Sequence, residues 1–212
     1  MKKKLLILGS TGMVGSAVFR KAKKSNYKIL APNRKQLNLF FFNQVRKYLK
    51  DKKPDIIILC AAKVGGIYAN SNYKADFMFD NLIIQNNVIS LSHEFKIKKL
   101  VFLGSSCIYP RNSKQPIKEE YLLTSELEKT NESYAVAKIA GIKLIEAYRA
   151  QYGDNFISVM PTNIYGENDN FHINNSHVIP GLIAKIFDAF LNKKKKKKNC
   201  GEQESHYEIF YM

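Results

Sequence analysis

The chain has 212 residues, 45% of them hydrophobic, and 34 Lys+Arg against 18 Asp+Glu give a formal net charge of +16. That length suits one large α/β domain, or one domain with part of a second, and the apolar content excludes global disorder. No apolar run is long enough to span a bilayer. Three widely spaced cysteines, Cys60, Cys107 and Cys200, argue against a disulfide framework and fit a reducing, cytoplasmic setting, and no metal-ligand spacing is present.

The first element follows three lysines. Leu5–Leu8 is a short apolar run that ends at Gly9, so it reads as a buried strand rather than a signal sequence. Met13 to about Lys24 has helical spacing, with Val14, Val18 and Ala22 on one face. Lys28–Ala31 reads as a strand, and Asn43–Lys50 as a helix with Val45 and Leu49 inward. Asp55–Cys60 is a β-branched strand, Asp76–Phe95 a long helix and Lys99–Gly104 a further strand. Ser133–Gln151 and Phe156–Met160 complete the alternation as helix and strand. Strands alternating with helices predict a parallel, doubly wound α/β sheet with helices on both faces.

Gly9-Ser10-Thr11-Gly12-Met13-Val14-Gly15 joins the first strand to the first helix. In such a G-x-x-G-x-x-G loop the first glycine permits the tight turn. The second lets the backbone approach a phosphate, and the third lets the helix pack close to the sheet. The helix N-terminus adds unpaired N–H groups and a partial positive charge, which suits a pyrophosphate. This is the arrangement of a Rossmann-type dinucleotide site. The second strand ends in Ala31-Pro32-Asn33-Arg34-Lys35, without the acid that would bind a ribose 2′-hydroxyl. Arg34 is placed to pair with a 2′-phosphate, so NADP(H) is the expected cofactor. A solvated Arg-Lys turn is the alternative.

Ser133-Tyr134-Ala135-Val136-Ala137-Lys138 is Y-x-x-x-K near a helix start. Spacing i,i+4 puts Tyr134 and Lys138 on one face, where the ammonium is expected to lower the tyrosine's pKa. The strand upstream ends in Gly104-Ser105-Ser106-Cys107. Ser105 therefore sits at the carboxyl edge of the sheet, where open α/β folds place ligands. Its hydroxyl can bind a substrate carbonyl while Tyr134 protonates the developing alkoxide.

These segments resemble the extended short-chain dehydrogenase/reductases, and within them the branch that makes GDP-L-fucose. The similarity runs from about Leu5 to about Phe187. It is carried by Gly12–Ala17, Ala61-Ala62-Lys63-Val64-Gly65-Gly66-Ile67, Leu103-Gly104-Ser105-Ser106-Cys107-Ile108-Tyr109-Pro110 and Tyr134–Lys143. Met160-Pro161-Thr162-Asn163-Ile164-Tyr165-Gly166, Asp169-Asn170-Phe171-His172 and Asn175-Ser176-His177-Val178-Ile179-Pro180 complete it. The resemblance implies an NADPH-dependent conversion of GDP-4-keto-6-deoxy-D-mannose to GDP-L-fucose: inversion at C3 and C5, then reduction of the C4 ketone. It assigns Cys107 and His177 to the inversion as base and acid, and Ser105, Tyr134 and Lys138 to the reduction. It places the cofactor against the glycine loop, Arg34, Leu103, Gly104, Ser105, Ser106, Lys138, His177 and Pro161–Ile164. It gives Lys185 a contact with the GDP portion. It implies a homodimer built on the two long helices. A related nucleotide-sugar epimerase or dehydratase is the first alternative, though a C4 epimerase would not need Cys107 and His177. A non-catalytic cofactor-binding remnant is the second.

The resemblance stops at about Asn192. Residues 1–192 are expected to form the NADP-binding domain and the start of a substrate domain. Residues 193–212 open with six lysines, Lys193–Lys198, and are expected to lie outside the family's pattern. The codons allowed for Asn199 to Tyr211, read one base upstream, permit Leu-Trp-Gly-Thr-Gly-Lys-Pro-Leu-Arg-Asp-Phe-Leu-Tyr, which resembles the family's continuation. The tail is therefore expected to be a frameshift product, with an exposed apolar edge and little turnover following from it. A basic tail for nucleic acid is the rival reading, but no aromatic interleaving accompanies it. Neither nucleic acid nor a membrane is expected as a partner.

Overall fold

The computed structural model describes residues 2–172 and 176–191. Five parallel strands, β1 (Lys4–Leu8), β2 (Lys28–Leu30), β3 (Ile56–Leu59), β4 (Lys99–Leu103) and β5 (Phe156–Val159), form one sheet in the order β2-β1-β3-β4-β5. The helices are α1 (Met13–Ala22), α2 (Phe42–Lys52), α3 (Ile67–Asn72), α4 (Lys74–Glu94), α5 (Glu132–Tyr152) and α6 (Val178–Leu191). The expected alternation is present, with ends differing by one or two residues. α3 and α6 are additions to the elements read from the sequence, and the Gly65-Gly66 turn before α3 masks a helix start.

Alternation along β1 divides the core. Leu6 and Leu8 point to the face covered by Val45 and Leu49 of α2, Val88 and Ile89 of α4, and Ile139, Ile142 and Ile145 of α5. Leu5 and Ile7 point to the other face, where Val18, Phe19 and Ala22 of α1 cover them. Helices thus lie on both faces, as a doubly wound sheet requires. α4 and α5 pack along each other. At their contact Gly141 leaves no room for a side chain, since a Cβ there would stand 2.7 Å from Phe102 and 2.9 Å from Gln85.

The strand order puts β1 and β3 side by side, with α1 leaving one carboxyl end and α3–α4 the other. Ligand sites of open α/β sheets sit in the crevice outside such a point. Among the described residues no helix is long and apolar enough to cross a membrane. The Lys193–Lys198 run, Cys200, the boundary at 192/193 and Asn175 lie outside the described residues.

Candidate active site

The glycine loop follows the steric logic of its sequence. Gly9 has φ +86°, a left-handed conformation that favours glycine, and a Cβ there would lie 2.6 Å from the Ala61 nitrogen. Gly15 is buried in α1, and its missing Cβ would fall 2.0 Å from the Gly9 carbonyl oxygen. Gly12 is different. A Cβ there meets only the Gly9 oxygen at 3.6 Å, an ordinary contact. Gly12 also caps α1 with no side-chain hydrogen bond, so the first N–H groups of the helix have no side-chain cap. Ser10, Thr11, Met13 and Val14 complete the loop, with Thr11 exposed.

Past β2 the chain turns at Asn33–Gln36. The Asn33 N–H donates to Gln36 Oε1 and the Gln36 N–H donates to Asn33 Oδ1, both at 3.0 Å. Arg34 projects from this turn, exposed, with its guanidinium 5.3 Å from the Phe40 ring centroid.

At the end of β4, Leu103, Gly104, Ser105 and Ser106 lead into a 3-10 turn over Ser106–Ile108. The Ser105 hydroxyl caps that turn by accepting from the Cys107 N–H at 3.3 Å. Gly104 and Ser106 tie this end to β5: their N–H groups donate to Val159 O at 2.8 Å and Pro161 O at 3.2 Å. Pro161, Thr162, Asn163 and Ile164 therefore start beside Ser105. A cavity of about 450 Å³ opens here, with Ser106, Tyr109, Glu119, Met160 and Thr162 in its wall.

Tyr134 and Lys138 come to this edge from α5. Burial pushes the Tyr134 phenol well above its usual range. The Cys107 thiol adds to that, and a hydrogen bond with Ser105 pulls the other way. Ser105, Cys107 and Tyr134 are thus neighbours. This differs from the expectation that the Lys138 ammonium lowers the phenol. Lys138 Nζ instead donates to Leu103 O at 2.9 Å and stands 5.8 Å from the Tyr134 ring centroid, so burial decides the phenol's affinity for its proton. Lys138 is itself only 3% exposed. Burial lowers it to about 8, against the opposing effect of Cys60. The Cys60 thiol is pushed up by burial to about 11, with Lys138 working against it.

His177 is exposed just before α6. Among the described residues no hydrogen bond or ion pair joins it to Cys107. Lys185 is half-buried on α6, whose Ile186, Phe187 and Phe190 are 68%, 60% and 79% exposed.

Three supporting residues escape sequence reading. Asn81 of α4 is buried and brackets the loop after β3: its Oδ1 accepts from the Lys63 N–H and its Nδ2 donates to Lys63 O, both at 3.0 Å. Phe77 packs edge-on against Tyr134 with centroids 6.5 Å apart. Cys60 stands beside Lys138. A polar residue inside an apolar stretch of helix was a visible signal for Asn81. The other two depend on tertiary proximity.

The model of the NAD dependent epimerase/dehydratase family matches residues 5–211. The GDP-L-fucose synthase of Sinorhizobium fredii (strain NBRC 101917 / NGR234) is 52% identical over 187 residues, which cover 88% of this chain and 60% of that protein. A GDP-L-fucose synthetase from Naegleria fowleri bound to NADP has a similar structure, with a TM-score of 0.81 at 32% identity over 90% of this chain and 59% of that one. The GDP-mannoheptose C4 reductase MlghC from Campylobacter jejuni, with NADP bound, gives 0.82 at 39% identity over 90% and 56%. The chain spans about 60% of the length of the curated relatives it matches.

Proposed function

The chain belongs to the NAD dependent epimerase/dehydratase family, and on that footing we propose that it binds NADP(H) along the carboxyl edge of its sheet and acts on a GDP-linked 4-keto-6-deoxy sugar. The reaction is inversion at C3 and C5 followed by reduction at C4, giving GDP-L-fucose from GDP-4-keto-6-deoxy-D-mannose. The observation that carries this is the gathering of Ser105, Cys107, Tyr134 and Lys138 at the ends of β4 and α5. The GDP-sugars and NADP named for the relatives support the substrate class and the cofactor.

The residues present fit the cofactor. Gly12 leaves open the space where a Cβ would block a phosphate, α1 begins without a side-chain cap, and Arg34 replaces an acid after β2. When bound, the cofactor supplies a hydride to the ketone carbon. Ser105 then holds the carbonyl oxygen by its hydroxyl, and Tyr134 donates its O–H proton to that oxygen. A phenol that burial keeps protonated at neutral pH suits an acid in this direction. Lys138, lowered to about 8, exchanges protons near neutrality and holds the end of β4 through Leu103.

In the inversion Cys107 removes a proton α to the ketone, and His177 returns one from the opposite face. His177 stands exposed just before α6. Its exposed position favours a second reading, a chain that binds cofactor and does not invert. One experiment separates the two: an NADPH titration followed by turnover of GDP-4-keto-6-deoxy-D-mannose in D2O. Deuterium at C3 and C5 with NADPH oxidation supports the full reaction. NADPH binding with neither supports the second reading, and absence of NADPH binding refutes both. Cys107→Ser is expected to abolish deuterium uptake while NADPH still binds. Homodimerisation through α4 and α5, where Phe79 is 64% exposed, belongs to the same proposal and is tested by light scattering.

A further inference from the structure

Beyond β5 the chain does not leave the sheet edge. It turns back over it. Asn168 Nδ2 donates to Ser16 Oγ at 3.2 Å, and Glu167 pairs with Arg20 at 3.2 Å. Ser16 and Arg20 are one helical turn apart on α1, and Arg20 Nη1 donates to the same Ser16 Oγ at 3.4 Å. Ser16 Oγ in turn donates to Met13 O at 2.9 Å, which puts this junction in the first turns of the helix that opens the glycine loop. The segment is shaped to arrive there: the Asp169 N–H donates to Gly166 O at 3.2 Å, and Asn168 takes φ +66°, a left-handed conformation that asparagine tolerates.

The sheet order gives this contact its meaning. β5 and β1 are separated by β3 and β4, a span of about 14 Å at ~4.8 Å per strand. Residues 160–168 cross that span on the carboxyl side. A dinucleotide bound as proposed above runs along the same edge, from the glycine loop at β1 to Ser105 and Pro161 at β4 and β5. The crossing segment and the cofactor therefore occupy the same side of the same four strands, β1, β3, β4 and β5.

We propose that Gly166–Asp169 is a clasp over the bound cofactor, held to α1 by the Asn168–Ser16 hydrogen bond and the Glu167–Arg20 ion pair, and that its opening governs cofactor release. The proposal rests on the NADP(H) reading. The two fastenings differ in kind. Glu167 and Arg20 are 72% and 48% exposed, so their pairing is weakened by salt. The Asn168 hydrogen bond is neutral and is not.

The test is NADPH release from the full chain, followed by the cofactor's fluorescence in stopped flow. Glu167→Gln is expected to speed release by about 1.5- to 5-fold, the range of an exposed ion pair. Asn168→Ala is expected to speed it by about 2- to 10-fold, the range of one net hydrogen bond. Raising salt speeds release from the wild type more than from Glu167→Gln, and the two rates converge at high salt. Equal release rates in all three proteins, each holding NADPH, overturn the clasp and leave the cofactor site standing. A wild-type chain that binds no NADPH overturns both. Faster release in the variants with the stated salt response supports the clasp.

Discussion

The three loop glycines have different jobs, and alanine at Gly12 and Gly15 separates them. At Gly15 the new methyl would sit 2.0 Å from the Gly9 oxygen and 2.6 Å from the Gly9 carbonyl carbon. Backbone must move away from backbone, an overpacking cost of about 1–3 kcal/mol or more. At Gly12 the methyl meets one atom at 3.6 Å, and φ −80° is open to alanine. Only the poorer capping of alanine remains, a loss of up to about 1 kcal/mol. The same methyl would stand where a phosphate approaches the backbone. Gly12→Ala is therefore expected to raise the NADPH Kd at least about tenfold, or ~1.4 kcal/mol, in a protein that unfolds nearly as the wild type does. Gly15→Ala is expected to unfold at clearly lower urea. Paired urea melts and fluorescence titrations read both quantities. A Gly12→Ala protein that binds NADPH with the wild-type Kd, or one as unstable as Gly15→Ala, refutes the division of roles.

Arg34→Ala is expected to weaken NADPH binding by about tenfold, the loss of a charge-assisted contact, with NADH binding little changed; parallel titrations check it. Tyr134→Phe is expected to lower ketone reduction by about 100-fold or more, the usual contribution of a positioned acid, with the NADPH Kd close to the wild-type value. Lys138 has a pH signature. Its pKa falls from 10.5 to about 8 on folding, so between those values the unfolded chain holds a proton that the folded chain has released, and stability rises with pH through the window. Relative to Lys138→Met, the wild type should gain on the order of 3 kcal/mol from pH 8 to 10.5. Cys60, pushed up to about 11, acts in the opposite sense above pH 9 and makes the net rise steepest below that. Urea melts at pH 7, 8, 9 and 10 give the slopes, and equal slopes in the two proteins would contradict this account.

The features legible in the sequence were those set by local period or by a single missing atom. Leu5–Leu8, Ile56–Leu59 and Leu100–Leu103 announce buried parallel strands by unbroken apolarity, Gly9 announces a tight turn and Gly15 close packing of helix on sheet. The Tyr134–Lys138 spacing put both side chains on one face of α5, and that face meets the end of β4. It could not give the burial of Tyr134 and Lys138, the latter set against Leu103 and Phe102 of β4, and so the expected effect on the phenol came out with the wrong sign. The Ser105 cap on the following 3-10 turn, the Asn81 bracket around Lys63 and the return of Asn168 to α1 join residues 2, 18 and 152 positions apart. The first is too short for any period to show, and the other two exist only once the sheet is assembled. Cys107 and His177 were paired by motif alone, and motif does not carry distance.

The strand order also sets a sequence of assembly. β1 pairs with β2 and β3, and then β3 with β4 and β4 with β5, each parallel. After the first pairing every new strand is added at one growing side, in the order in which the ribosome delivers it. The glycine loop is complete within the first fifteen residues. Its partner groups at Ser105 and Tyr134 arrive only after β4 and α5 have docked, each at the end of a crossover of dozens of residues and hence slowly. During synthesis the chain therefore carries its glycine loop well before the Ser105 and Tyr134 side chains can be brought to the same edge of the sheet.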